Sequence, residues 1–201
     1  MPGRRVGIWH RPLSYVVPRP PTVHSRVYLT GFMGSGKTTV GPLVARALGW
    51  RFVDLDARVE ARAGRTITEL IAEGEEVFRE VESEALVATT RESRVVVATG
   101  GGTISSASSH AVSNRLLARP AVWLRVPPAR LGERLEGAFG RPLLHGAHGP
   151  LDGDALVERI ESLLGSRTDA YATADAVVDA DAAPAIVAHR VVEAVRTLGI
   201  G

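Results

Sequence analysis

The sequence has no cysteine, two methionines and a single lysine, Lys37, among 24 basic residues. Without cysteine there is no disulfide framework and no thiolate metal site. Aromatic residues make up only 5% of the chain, and outside the first 25 residues the arginines are interleaved with acids. Neither feature suits a single-strand nucleic-acid reader, which needs basic stripes and aromatic platforms. No apolar run approaches the roughly 20 residues that span a bilayer, and residues 1–25 hold no apolar segment followed by a small-residue cleavage site. A GTPase switch needs an Asn-Lys-x-Asp guanine motif, which the lone Lys37 rules out. The net charge is only +2 although the isoelectric point is about 9.5. The high value reflects arginine's very high pKa, and local binding of a small anion accounts for it without nucleic acid.

What remains is a chain of 201 residues, 45% hydrophobic, enough for one domain with a full core. Residues 1–25 carry five prolines and no acid. A continuous helix is excluded there. The expectation is a disordered N-terminal extension, or residues ahead of the true start, before a single domain over 26–201. From Arg26, short apolar runs ("RVYLT", "RFVDLD", "RVVVATGGG", "PAVWLRV", "DAVVDA") alternate with segments of helical spacing. Continuous apolar strands alternating with helices predict a parallel sheet covered on both faces, a three-layer α/β/α fold. Gly49 suits the end of the first helix. "DALVERIESLLGSRTDAYATA" reads as one long helix, and the Gly-, Pro- and His-rich segment at about 138–153 as a mobile lid.

The segment "GFMGSGKTTVG" carries Gly31-x-x-x-x-Gly36-Lys37-Thr38 after a strand and before a helix. That is the phosphate-binding loop, in which backbone N–H groups and a helix N-terminus surround phosphates. In this composition a given lysine meets the pattern by chance roughly once in 700. The chain otherwise writes arginine at every basic position. A compact ammonium inside a ring of phosphate oxygens is the one place where arginine is no substitute. In "FVDLD", Asp54 and Asp56 are expected to project from one face at a strand's carboxyl end, where open α/β sheets bind ligands. They suit magnesium held through water and an oriented hydroxyl, and equally a helix N-cap at Asp56. Arg79 and Glu82 read as a surface i,i+3 pair. The run Thr99-Gly100-Gly101-Gly102 reads as backbone pressed against a ligand.

Taken together, "GFMGSGKT", "DLD", "GEEVFR..E", "ATGGG", "GRPLL" and "R...Y" occur in the order and at the spacing of the shikimate kinases. The chain resembles that family over about residues 27–197. The resemblance implies a nucleoside-monophosphate-kinase-like P-loop NTPase fold with a five-stranded parallel sheet in order 2-3-1-4-5. It implies ATP-dependent phosphorylation of shikimate at its 3-hydroxyl, with ATP and Mg²⁺ required. Gly34, Ser35, Gly36, Lys37, Thr38 and Thr39 would bind the ATP phosphates. Arg134 would stack on adenine, and Pro184 would lie in the adenine loop. Thr38, and Asp54 through water, would hold the metal. Asp56 would hold the acceptor hydroxyls as the candidate base, Arg79 and Arg167 the carboxylate, and Gly101 and Gly102 would donate backbone N–H groups. Arg141 would reach the transferring phosphoryl group from the lid.

The expected partners are shikimate and ATP, with no nucleic acid and no membrane. The expected location is the cytoplasm and the expected state a monomer. A gluconate kinase of the same fold shares the loop and lid, but leaves "FR…GGG…RPLL…R" without a purpose. Ile71 stands where the family commonly has Phe, a repacking change. His145 and His148 in the lid read as solvated loop residues.

Overall fold

The computed structural model describes residues 25–200 except 106–109, 111–113, 116, 139–140 and 147–148. The expectations for residues 1–24 and for His148 lie outside the described residues. Five parallel strands form one sheet: β1 (Arg26–Thr30), β2 (Arg51–Asp54), β3 (Val95–Ala98), β4 (Ala121–Arg125) and β7 (Ala176–Asp179). Their order is β2-β3-β1-β4-β7. Counting sheet strands alone, this is the expected 2-3-1-4-5. The numbers 5 and 6 belong to a two-residue hairpin, β5 (His145–Gly146) and β6 (Gly149–Pro150), inside the segment read as a lid.

Successive strand residues face opposite sides of a sheet, and here both sides are covered. Val27 and Leu29 of β1, with Val96, Val122 and Leu124, enter one core. Tyr28, Val95, Val97, Ala121 and Trp123 enter the other. The first core is closed by helices α1 (Lys37–Leu48) and α8 (Pro184–Thr197), which pack against each other. The second is closed by α2 (Leu55–Ala63), α3 (Ile67–Glu73) and α4 (Glu75–Thr89). Each buried aliphatic side chain stabilises by about 1.5–3 kcal/mol, so continuous apolar strands are what this arrangement selects. Helices α5 (Pro128–Leu135) and α6 (Gly153–Gly165) pack together through Gly132, where a Cβ would lie 2.8 Å from Val157.

Helix α1 ends as expected. Gly49 adopts φ 67° and its N–H reaches the carbonyls of Ala45 and Arg46. Helix α3 begins with a reciprocal capping box between Thr66 and Glu69. The long helix read over 154–174 is divided. Helix α6 stops at Gly165, and α7 (Thr168–Tyr171) begins after Arg167. Glycine is the weakest continuation residue of a helix after proline, and the break turns Arg167 toward the carboxyl edge of the sheet. Within the lid segment the described residues form a 3₁₀ turn over Pro142–Leu144 before the hairpin. Among the described residues no helix is long and apolar enough to cross a membrane.

Candidate active site

The phosphate-binding loop leaves β1 at Gly31, where φ is 138° and a Cβ would lie 2.6 Å from the carbonyl of Leu124. It enters α1 at Gly36, which caps the helix with φ 96° and offers no side chain to its N–H groups. Those donors stay available to an anion, and the helix dipole favours one. Lys37 is buried. Its Nζ donates to the carbonyls of Gly31 at 2.8 Å and Phe32 at 3.0 Å. Burial lowers its pKa to about 8, opposed by Asp56 and then Asp54. The ammonium is thus set into the loop and aimed by backbone rather than by a carboxylate.

Asp54 ends β2 and caps α2. Its Oδ1 accepts from the backbone N–H groups of Asp56 at 3.0 Å and Ala57 at 3.4 Å. Its Oδ2 accepts from the Thr38 hydroxyl at 2.8 Å. This corrects two sequence readings. The helix cap is Asp54, not Asp56, and Asp56 lies in the first turn of α2 rather than on the strand. Both still line one cavity, because a helix begins where the strand ends. Burial raises the Asp56 pKa to about 6, reinforced by Asp54 and Glu82 and opposed by Lys37.

That cavity, about 310 Å³, also contains Gly34, Gly36, Lys37, Thr38 and Arg141. A second, about 240 Å³, adjoins it through Gly34, Gly36, Thr39 and Arg134 and runs to Pro184. There Arg134 donates to the carbonyls of Gly34 at 3.3 Å and Ala180 at 2.9 Å, tying the phosphate loop to the segment after β7. A third, about 290 Å³, adjoins the first through Met33 and Arg141 and is lined by Ile71, Phe78, Arg79 and Leu143. The three form one cleft along the carboxyl edge of the sheet. A larger groove of about 640 Å³, lined by Trp123, Arg125, Pro127 and Leu164, contains none of the residues singled out from the sequence.

The glycine run organises the middle of the cleft by space, since none of its three residues has a positive φ. A Cβ at Gly100 would lie 2.7 Å from Asp56 Oδ1, and one at Gly102 would lie 2.8 Å from Arg79 Nη2. At Gly101 it would enter the space between Met33 N, at 3.4 Å, and Arg167 Nη1, at 3.9 Å. Three consecutive residues therefore face the carboxylate and the two arginines in turn. Arg79 is no surface residue: Nη1 donates to Glu82 Oε2 at 2.8 Å, and Glu82 is buried. Its Nε is buried with no partner among the described residues. The Arg167 guanidinium lies 5.6 Å from the centre of the Phe32 ring, in the phosphate loop itself.

All the sequence-predicted site residues except Gly102 and Arg167 line the three cavities of this cleft. Those two lie against lining residues, Gly102 beside Arg79 and Arg167 beside Gly101. Sequence reasoning missed Glu82 as a buried anchor, because i,i+3 spacing carries no information on depth. It also gave no role to the side chain of Thr99, which lines the cleft, or to Ser105, just beyond the glycine run. The cluster fits a nucleotide at one end, an anionic polyol at the other, and a phosphoryl group passing between them. Thr38 and Asp54 supply oxygen donors, the type a hard divalent cation prefers. The Thr38 hydroxyl can keep its bond to Asp54 while a lone pair faces the ion.

A family model described as shikimate kinase matches residues 33–196. A shikimate kinase of Moorella thermoacetica is 43% identical over 174 residues, which is 85% of this chain and 94% of its own. One of Chlorobium limicola is 41% identical over 162 residues, 79% of each chain. Among solved structures, shikimate kinase from Bacteroides thetaiotaomicron superposes with a TM-score of 0.75 at 34% identity, over 85% of this chain and 98% of that one. Shikimate kinase from Acinetobacter baumannii, solved in complex with shikimate, gives 0.74 at 29% identity, over 86% and 93%. A gluconokinase from Sinorhizobium meliloti shares the fold, with a TM-score of 0.54 at 19% identity.

Proposed function

The chain belongs to the shikimate kinase family, and from that premise we propose how its residues divide the work of moving the γ-phosphoryl group of ATP to the 3-hydroxyl of shikimate. The products are shikimate 3-phosphate and ADP, a step in the biosynthesis of chorismate and the aromatic amino acids. The observation that carries the assignment is the glycine run, whose consecutive residues face Asp56, Arg167 and Arg79. Shikimate presents hydroxyls and a carboxylate on one small ring, and those side chains match them.

Arg79 and Arg167 bind the carboxylate, for which a planar fork gives paired charge-assisted hydrogen bonds. The unpartnered Arg79 Nε is a donor already desolvated for that purpose. Asp56 accepts a hydrogen bond from the attacking hydroxyl and takes its proton. Its pKa of about 6 leaves it ionised at neutral pH and more basic than an ordinary aspartate. Lys37 and the N–H groups of Gly34 to Thr39 surround the phosphates. Arg141 enters from the lid segment and stabilises charge on the equatorial oxygens as it passes to the acceptor. Closure of the lid excludes water, the competing acceptor.

Arg134 and Pro184 bound the adenine end of the cleft. Thr38, and Asp54 through water, would hold magnesium, which when bound neutralises charge on the β- and γ-phosphates. On this reading the protein acts in the cytoplasm as a monomer that engages neither nucleic acid nor membrane. An ADP-release assay with shikimate, with gluconate and with no acceptor tests the reading. Turnover with shikimate alone is expected; turnover with gluconate and not shikimate would overturn it.

A further inference from the structure

Tyr171 is fully buried and lies one helical turn after Arg167. Its hydroxyl donates to the carbonyl of Gly101 at 2.6 Å. The Ser105 hydroxyl donates to the same oxygen at 2.8 Å. The Tyr171 ring is stacked on Trp123 of β4, with centroids 5.6 Å apart and planes at 29°. Burial raises the Tyr171 pKa, so the phenol stays neutral and remains a donor.

Two features make this more than core filling. The Gly101 carbonyl and the Gly102 N–H belong to one planar trans peptide and point in opposite directions. Fixing one fixes the other. The segment is a run of glycines, the residues whose backbone is least constrained by its own side chain. Something outside the run must set the peptide's orientation. Neither Gly101 N–H nor Gly102 N–H has a backbone acceptor among the described residues.

We infer that Tyr171 is a positioning residue for the phosphoryl acceptor. With Ser105 it holds the Gly101 carbonyl, and so aims the Gly102 N–H away from the core and toward the acceptor carboxylate beside Arg79. Because Arg167 leads the same short helix, the clamp also ties the second arginine to the glycine run. The inference rests on the reading of the cleft as the shikimate site.

Steady-state kinetics of Tyr171→Phe, Ser105→Ala and the double variant, each with both substrates varied, test it. Losing one of two hydrogen bonds to a single oxygen raises KM for shikimate about three- to tenfold in each single variant. The double variant loses more than the product of the two, because each donor covers for the other. In all three, KM for ATP and kcat stay within about twofold. A merely structural role predicts a lower thermal midpoint with KM for shikimate unchanged, or equal rises in both KM values; either result overturns the inference. If Tyr171→Phe fails to fold, Ser105→Ala decides, since it removes a donor to the same oxygen. Absence of shikimate turnover in the unsubstituted protein overturns the reading of the cleft. Normal turnover with a variant KM that does not move overturns the clamp alone.

Discussion

Arg79 and Glu82 pair at 2.8 Å with Glu82 only 1% exposed. Two charges three residues apart on a helix are worth a few tenths of a kcal/mol at a surface. Buried, the same pair is expensive to break, because removing one partner leaves an uncompensated charge. Glu82 is also fully engaged elsewhere: its Oε1 accepts from the Thr103 hydroxyl at 2.6 Å, and the Thr103 carbonyl accepts from Asn114. The carboxylate therefore joins α4 to the glycine run and fixes the guanidinium between them.

Arg79→Lys separates charge from shape. An ammonium keeps Glu82 paired, so the protein folds, but it loses the planar fork and the free Nε. KM for shikimate is expected to rise about 10- to 100-fold while KM for ATP stays within about twofold. Equal losses for both substrates would refute the carboxylate assignment. Glu82→Ala acts mainly on the fold, with an expected loss of about 3–5 kcal/mol read from urea denaturation.

The glycine run makes a second prediction by space alone. In Gly102→Ala the new Cβ falls 2.8 Å from Arg79 Nη2 and pushes the guanidinium out of place. Shikimate KM is expected to rise roughly tenfold or more, since small misplacements at a binding site are costly. Gly165→Ala is the control, for nothing lies within 4 Å of its Cβ and its φ is not positive. That change is expected to leave kinetics unaltered and to stabilise the end of α6 by up to about 1 kcal/mol.

The strands, the phosphate loop and the glycine run were legible because each is dictated locally: apolar runs, a loop between strand and helix, a Cβ that does not fit. The order of the strands is not local and came only with the family resemblance. Depth was not legible. Glu82 carries the same spacing whether it faces water or Thr103. Asp56 was misplaced because period-2 alternation was extended past Asp54, where the chain had already turned into α2. The break before Arg167 had a signal in Gly165-Ser166, outweighed by the apolar spacing on either side. Tyr171 stood in the recognised pattern, but its partner is a backbone carbonyl 70 residues away, which no motif encodes.

Asp56 is held in a form the fold disfavours. Its pKa is raised from 3.8 to about 6 by burial and by Asp54 and Glu82. The native state therefore binds more protons than the unfolded chain between those values, and stability falls as pH rises from about 4 to about 6. Above that range the ionised side chain costs up to about 3 kcal/mol. Asp56→Asn keeps the shape and removes the charge. It is expected to raise the thermal midpoint at pH 7.5 while abolishing most phosphoryl transfer. A lowered midpoint would show that Asp56 is stabilising in its ionised form.

The pH dependence of the rate at low concentrations of both substrates reports the free protein. Asp56 must be ionised to accept the hydroxyl proton, so activity is lost as pH falls through about 6. Lys37 must be protonated to meet the phosphates, so activity is lost as pH rises through about 8. The expected profile is a bell between those values, much narrower than an ordinary aspartate and lysine would give. Saturating ATP should move the alkaline limb upward, because bound phosphates favour the charged ammonium and raise its pKa. The acid limb should vanish from whatever activity Asp56→Asn retains. A profile flat from pH 5 to beyond pH 9 in the free protein would remove both assignments, since neither group would then titrate where its surroundings place it.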